Sequence, residues 1–469
     1  MTTLSVDELK RKVNQDPWRL SYHVMPETGW LNDPNGAIQF DGTYHLYYQY
    51  VPETPHGGAT HWGHVSSKDM VHFTQEPIFL SPTESYDIDG VYSGSGIEKD
   101  GKAHFFYTGN VKQPGDHDYI FNGREQNVVH VVSSDGYTVD RREVIIPHEA
   151  FPEGFTDHIR DPKLFEKNDH YYMVLGARTV DNKGSILVYD SPDLEDWQYH
   201  GTMLDGTEDQ GYMWECPDFF ELEDKDILIL SPQGILPETY QYNNPHAAGY
   251  LIGNLDWDTI KYTPETSFQE FDRGFDFYAP HTFEDDKGRR IMWSWMGIGD
   301  IMPEYTNPTI ARGWQHAMAL PRELTVENGR LYQRPLPEYQ AIRHNEQRRE
   351  IGSADDLAGE VYELLIELKE SKAFHLRLRQ DTELIYDGEI LTLKHGESGY
   401  GRRKRMTPVE AISQLQIFSD TSSLEIFVND GEYVLTTRVY PEPGQDNIAF
   451  ESDAIGTITY WDLKLEESM

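Results

Sequence analysis

The chain predicts an all-β fold, a five-bladed β-propeller followed by a C-terminal β-sandwich, from three observations. The first is a unit repeated five times in the first 300 residues: an apolar run, a turn rich in Asp, Asn or Gly, and a second apolar run. Its turns fall at Asp41-Gly42, Asp100-Gly101, Asn168-Asp169, Asp224-Lys225 and Asp286-Lys287-Gly288, at intervals of 59, 68, 56 and 62 residues. Such pairs tolerate the positive φ that tight hairpins need. The second is the interval itself, which is near-constant and long enough for a four-stranded blade. The third lies beyond residue 350, where short alternating runs such as VYELLIELK, GEILTLKH and SSLEIFVNDGEYVLTTRVYP surround a hairpin signal at Asn429-Asp430-Gly431. Those features read as a sandwich.

In chain order, residues 1–19 form an N-terminal extension in which VDELKRKVN (6–14) predicts a short amphipathic helix. Residues 20–340 carry the five hairpin units without a low-complexity break. The stretch PLPEYQAIRHNEQRRE turns proline-led and polar, so 341–350 is expected to be a linker. Residues 351–469 complete the sandwich.

The residues ahead of the hairpin turns carry the chemistry. Seven to nine positions before each turn stand Asp33 (WLNDPNG), Ser93 (YSGSG), Asp161 (IRDPK), Glu215 (WECPDFF) and Tyr278 (FDFYAP). If the units are equivalent, all five start the innermost strand of a blade at one height. Three carboxylates then converge at one mouth of the central channel. An Asp before Pro is by itself a turn or strand-entry residue; three carboxylates at matched places argue for a polar site.

Composition bounds the partners. Eighty acidic against 40 basic side chains leave a net charge of −40, which disfavours nucleic acid and anionic membrane. Aromatics make up 13%, with 29 Tyr and 10 Trp, enough for a sugar-stacking surface but equally suited to β cores. One cysteine, Cys216, excludes an intramolecular disulfide. The start of the chain is charged throughout and lacks the apolar core of a secretory signal, so a cytoplasmic protein is expected. Association into a homo-oligomer is left open.

Retaining cleavage of a glycosidic bond needs an ionised nucleophile and a protonated acid on opposite sides of the anomeric carbon. Asp33, flanked by Asn32 and Asn35, suits the nucleophile. Glu215, between Trp214 and Cys216, has an apolar setting that would raise its pKa and suit it as the acid. Asp161, beside Arg160, should stay ionised and accept substrate hydroxyls. His61 and His64 (HWGH) point to opposite faces of a strand-like segment, and the acidic turns lack a calcium-loop pattern, so no metal or other cofactor is expected.

WLNDPNG, RDP and ECPD resemble, in order, the three signature motifs of glycoside hydrolase family 32, the β-fructofuranosidases. YYQY around Gln49, HWGH, YSGSG, YTGNV, DRGFDFYAP, GWQHAMALPREL and YQRPL extend the resemblance, densely over residues 20–345. It implies a propeller joined to a sandwich, attack by Asp33, acid–base action by Glu215, and Asp161 on the fructose 3- and 4-hydroxyls. Asn32, Gln49, Ser93 and Arg160 match fructose-subsite positions, with Trp62 and Tyr92 nearby. Within the family the chain looks most like bacterial sucrose-6-phosphate hydrolases, through PHGGATHWGH, FPEGFTDHIRDPKLF and DRGFDFYAPHTF. Gly57 stands where many relatives on neutral sugars carry Trp, which would open the pocket, and His281 stands where Gln is more usual.

The implied substrate is sucrose-6-phosphate or sucrose, with Arg178, Arg273 and Lys163 as candidate phosphate contacts. Competing readings are a β-fructosidase for unphosphorylated sucrose and short fructo-oligosaccharides, fructosyl transfer, and an inactive fructan-binding propeller.

Overall fold

A computed structural model describes residues 6–352, 357–379 and 381–466. Five antiparallel sheets follow one another along the first two thirds of the chain. Their first strands are Gly29–Phe40, Val91–Lys99, Phe155–Lys167, Met213–Leu222 and Tyr278–Glu284. Each touches the next and the fifth touches the first, closing a ring around a central channel. Trp314-Gln315 adds to the first sheet by pairing in parallel with Gly29-Trp30. Two six-stranded sheets follow, and the architecture is a β-propeller joined to a β-sandwich.

The hairpin turns behave as their residues predict: Asp41, Gly42, Asp100, Gly101, Asn168 and Asp169 all adopt positive φ. The fourth turn sits one residue earlier than expected, at Glu223-Asp224, because Leu222 pairs with Lys225.

All five inner strands break register near the same end. The breaks span Asn32-Asp33, Tyr92-Ser93, Asp161-Pro162, Cys216-Pro217 and Ala279-Pro280. Bulges of this kind re-aim side chains beside active sites. They also correct the expectation of a single height. Glu215 and Tyr278 are the last paired residues before their breaks, Asp161 is one residue further, and Asp33 and Ser93 are two. The carboxylates are staggered because the extra residue enters at a different place in each strand.

The segment 341–350 is not a free linker. Arg343–Glu350 is an edge strand of the sandwich, paired with Gly456–Leu463. Its sequence, RHNEQRRE, has no apolar residue to show period-2 alternation, since this edge is largely exposed. Arg343 instead clamps Glu363 through two bonds of 2.6 Å. The N-terminal extension is also packed: the helix Val6–Val13 buries Leu9 and Val13. Just beyond it, Asp16 accepts a bond from Trp314 Nε1 at 2.7 Å. Among the described residues, no helix is long and apolar enough to cross a membrane.

A buried ionic network joins the two parts. His23 lies between Asp420, at 2.8 Å, and Glu425, at 3.0 Å. Glu425 also binds Arg322, which reaches Asp272 and Thr436. Burial alone would lower the His23 pKa, but hydrogen bonds to Asp420 and Glu425 more than reverse this and push it up to about 9. A histidine raised from 6.5 on folding adds stability that is complete below pH 6.5 and lost as pH climbs through 9. The melting temperature is therefore expected to fall across that window, and His23→Gln to flatten the dependence while lowering the melting temperature at pH 6. A wild-type melting temperature that stays level from pH 6.5 to 9 would remove His23 from this role.

Candidate active site

The staggered strand ends line a cavity of about 340 Å³ at one mouth of the channel. Asp33, Asp161, Glu215, Asn32, Gln49, Tyr92, Ser93 and Arg160 all line it. A larger cavity, of about 480 Å³, opens at the other end between Glu98, Glu166, Glu221 and Glu284. It holds none of these groups.

Asp33 is gripped by side chains from three strands. Ser93 Oγ donates to Oδ2 at 2.5 Å and Asn32 Nδ2 to Oδ1 at 3.1 Å. Gln49 fixes both donors, giving a proton to Ser93 Oγ at 2.7 Å and accepting one from Asn32 at 2.6 Å. Asn35, expected on the carboxylate, binds the main-chain carbonyl of Asp33 at 3.2 Å instead and takes the Gly94 N–H on its Oδ1. It holds the backbone break rather than the charge.

Asp161 adopts φ 64° and Cys216 φ 44°, strained values for residues with side chains. The Cys216 N–H donates to Asp161 Oδ2 at 2.9 Å, and its thiol sits 3.7 Å from both Asp33 Oδ2 and Asp161 Oδ2. The thiol is thus a wedge between two aspartates. Burial raises its pKa well above the ordinary range, so it is a neutral spacer.

Glu215 has a separate set of partners. Arg160 Nη2 donates to Oε1 at 2.7 Å, while Tyr278 Oη and Gln233 Nε2 donate to Oε2 at 2.7 and 2.8 Å. Close approach of the strands requires a glycine here: a Cβ on Gly176 would lie 2.0 Å from the Trp214 carbonyl oxygen.

The electrostatics reverse the expectation. Burial raises Asp33 and lifts Asp161 to about 7. Glu215 is lowered: burial opposes this, but the Arg160 charge and hydrogen bonds from Arg160 and Tyr278 outweigh it. The flanking Trp214 and Cys216 do not make its setting apolar, because Arg160, Tyr278 and Gln233 surround the carboxylate with donors. Nor does sequence adjacency give Arg160 to Asp161: their closest approach is 4.0 Å, against 2.7 Å to Glu215.

Three other expectations change, and His281 and Gly57 find their places. Trp62 is fully buried, packed against Tyr47, Phe105 and Tyr107, and touches the site only through a bond to the Tyr92 carbonyl. Lys163 is buried away from the cavity on Asp218 and the Thr282 carbonyl. Arg273 is tied to Glu270 at 2.7 Å and to the Tyr240 carbonyl. His281 is buried, and its pKa falls to about 3 through burial and then the Lys163 charge. It is neutral and lines no part of the cavity. Gly57 has φ 78°, and a Cβ built on it would meet only the Trp30 ring, at 3.9 Å.

Sequence reasoning missed Gln233, His246, Gly299, Asp300, Arg124, His158 and Trp295, which with Tyr278 complete the wall. His158 lies inside the quoted FPEGFTDHIRDPKLF, and Gln233 follows the apolar run ILIL. His246 and Asp300 sit in loops with no periodic signal. Among the described residues, metal-ligand atoms converge only at His130, Glu143 and Glu195, where Arg141 already pairs with both glutamates.

Residues 23–335 match the glycosyl hydrolases family 32 N-terminal domain and residues 335–464 the family's C-terminal domain. The chain belongs to glycosyl hydrolase family 32. As a family 32 protein it is 40% identical over 460 residues to the sucrose-6-phosphate hydrolase of Bacillus subtilis (strain 168), covering 94% of each chain. It is 36% identical to that of Staphylococcus xylosus, over 98% of this chain and 95% of the relative. A solved sucrose-6-phosphate hydrolase from Lactobacillus gasseri superposes with a TM-score of 0.89 at 30% identity, covering 98% and 96% of the two chains. A family 32 β-fructofuranosidase variant from Bombyx mori, solved in complex with sucrose, gives 0.85 at 27% identity over the same shares. The family 32 assignment makes the chain a glycosidase rather than a bare binding propeller.

Proposed function

We propose that this chain hydrolyses the β-D-fructofuranosyl bond of sucrose-6-phosphate and sucrose with retained configuration. Asp33 in its ionised form attacks the fructosyl anomeric carbon while Glu215 in its protonated form, the one that burial favours and Arg160 opposes in the free site, gives its proton to the leaving oxygen. Glu215 then takes a proton from the water that releases fructose. Asp161 accepts the 3- and 4-hydroxyls of the fructosyl ring and carries negative charge beside the oxocarbenium-like transition state. The observation that carries this reading is the separation of the carboxylates into two differently held sets: an aspartate pair around Cys216, and Glu215 on Arg160 and Tyr278. The relatives named as sucrose-6-phosphate hydrolases support the phosphorylated substrate, and the sucrose complex supports the free one. A phosphorylated disaccharide is made inside cells, so the reading carries a cytoplasmic location.

The test is to follow both substrates by NMR in the first seconds of turnover. Newly released fructose is expected as the β-furanose, and an initial α-anomer would overturn Asp33 as nucleophile.

Arg160 sets the working pH. Its charge lowers Glu215 and also opposes the rise of Asp161, so Arg160→Gln raises both. Both limbs of the kcat/KM profile are expected to move to higher pH, as macroscopic values of the coupled set. Lost activity with an unmoved profile would leave Arg160 a purely structural role.

A further inference from the structure

One rim of the cavity is cationic in a chain with twice as many acids as bases. Along the strand Phe155–Lys167, His158 and Arg160 stand two residues apart and so share a face. Arg160 bridges Glu215 at 2.7 Å and His158 Nδ1 at 2.6 Å, so His158 is one contact further out from the reacting bond than Arg160. Arg124 approaches from the neighbouring sheet and lines the cavity beside it. Its Nε donates to the Tyr119 carbonyl at 3.2 Å and its Nη1 to Asn110 Oδ1 at 3.0 Å. Arg178 lies 4.6 Å over the Tyr212 ring, held by Asn182 Oδ1 at 3.0 and 2.6 Å.

Every fixed partner of these two guanidinium groups is a neutral oxygen or a ring. Among the described residues, neither has a carboxylate within ion-pairing distance. The positive charges crowd His158 and, after burial, are the main reason that its pKa falls to about 2. The same cavity is also lined by Asp300, paired with His246 at 3.1 Å.

We propose that Arg124, with His158 and Arg178 behind it, binds a phosphomonoester on the leaving-group sugar. This rests on the reading of Glu215 as the acid, which puts the leaving sugar on the outer side of the glycosidic oxygen, where the Glu215–Arg160–His158 contacts lead. A planar guanidinium presents paired donors that match a phosphate's oxygens. A second basic group, Arg403, Lys404 and Arg405, lines a different cavity next to Asp300. It lies outside the catalytic cavity and serves as the comparison.

The experiment compares kcat/KM on sucrose-6-phosphate and on sucrose, together with inhibition by glucose-6-phosphate and by glucose. Wild type is expected to favour the phosphate ester by more than about tenfold, and Arg124→Gln to bring the ratio near one. Arg124→Lys, which keeps the charge, is expected to restore part of the ratio and guards against a loop defect as the explanation. Arg178→Gln is expected to lower the ratio severalfold, and Arg403→Gln to leave it as in wild type. Inhibition constants should follow the same order without any need for turnover. An Arg124→Gln enzyme that keeps the wild-type ratio, or a ratio lost only in Arg403→Gln, would overturn the proposal. Equal wild-type use of both substrates would overturn it while leaving Asp33 and Glu215 intact. A folded wild type inert to both would overturn the underlying reading instead.

Discussion

Replacing Asp33 by Asn is expected to lower kcat on sucrose by a factor on the order of 10⁴, because no nucleophile remains to form the fructosyl intermediate. That factor corresponds to roughly 5 kcal/mol of lost transition-state stabilisation. The amide is nearly isosteric, and the groups around it can adapt. The Ser93 hydroxyl can accept from an amide as readily as it donates to a carboxylate, and Gln49 still orients Asn32. The substitution also removes one of two carboxylates that face each other across Cys216. Melting temperature is therefore expected to hold or rise while turnover collapses. Steady-state kinetics beside a thermal melt check both halves, and a loss of only about tenfold in a well-folded variant would hand the nucleophile's role elsewhere.

Glu215→Gln is expected to cost about 10³ on sucrose, within the usual range for removal of a general acid. Its signature is the dependence on the leaving group. A fructosyl donor whose leaving group needs no proton, such as the fluoride, should still form the intermediate and then stall. No carboxylate remains to activate water, so a burst of fluoride followed by slow turnover is the expected trace. Equal losses on sucrose and on the fluoride, with no burst, would reassign Glu215 to binding. The Gln side chain can keep the Tyr278 hydroxyl bond, but it cannot neutralise Arg160, and binding of neutral sugars will change accordingly.

Much of this was legible before the fold was seen, because turn chemistry and repeat interval are local properties. Asp41-Gly42 and Asp100-Gly101 announce positive φ, and the intervals between turns announce sheets. The converging residues were legible for the same reason, since equivalent strand ends must meet around a channel. Their heights were not, because a bulge is one inserted residue whose place depends on pairing with the next strand. The pKa order of Asp33, Asp161 and Glu215 was hidden for a related cause: Arg160 neighbours Asp161 in sequence but reaches Glu215 in space. Arg343–Glu350 was missed because an exposed edge strand has no apolar alternation to display. Trp62 was misplaced because an aromatic inside a motif reads the same whether it lines a pocket or supports it from beneath.

The position of His23 bears on the order in which the protein can be made. The residues that bond it, Asp420 and Glu425, are synthesised some 400 positions later. The strand opening the ring likewise waits for Trp314 and Gln315 to join its edge. While the chain is still emerging from the ribosome, the first sheet has a bare margin and a histidine with no acid beside it. Closure of the ring and burial of that histidine then become late, coupled events. Pairings this distant in sequence slow folding and prolong the exposure of strand edges. During synthesis, the opening residues of this chain stay without these partners until the distant segments that supply them are made.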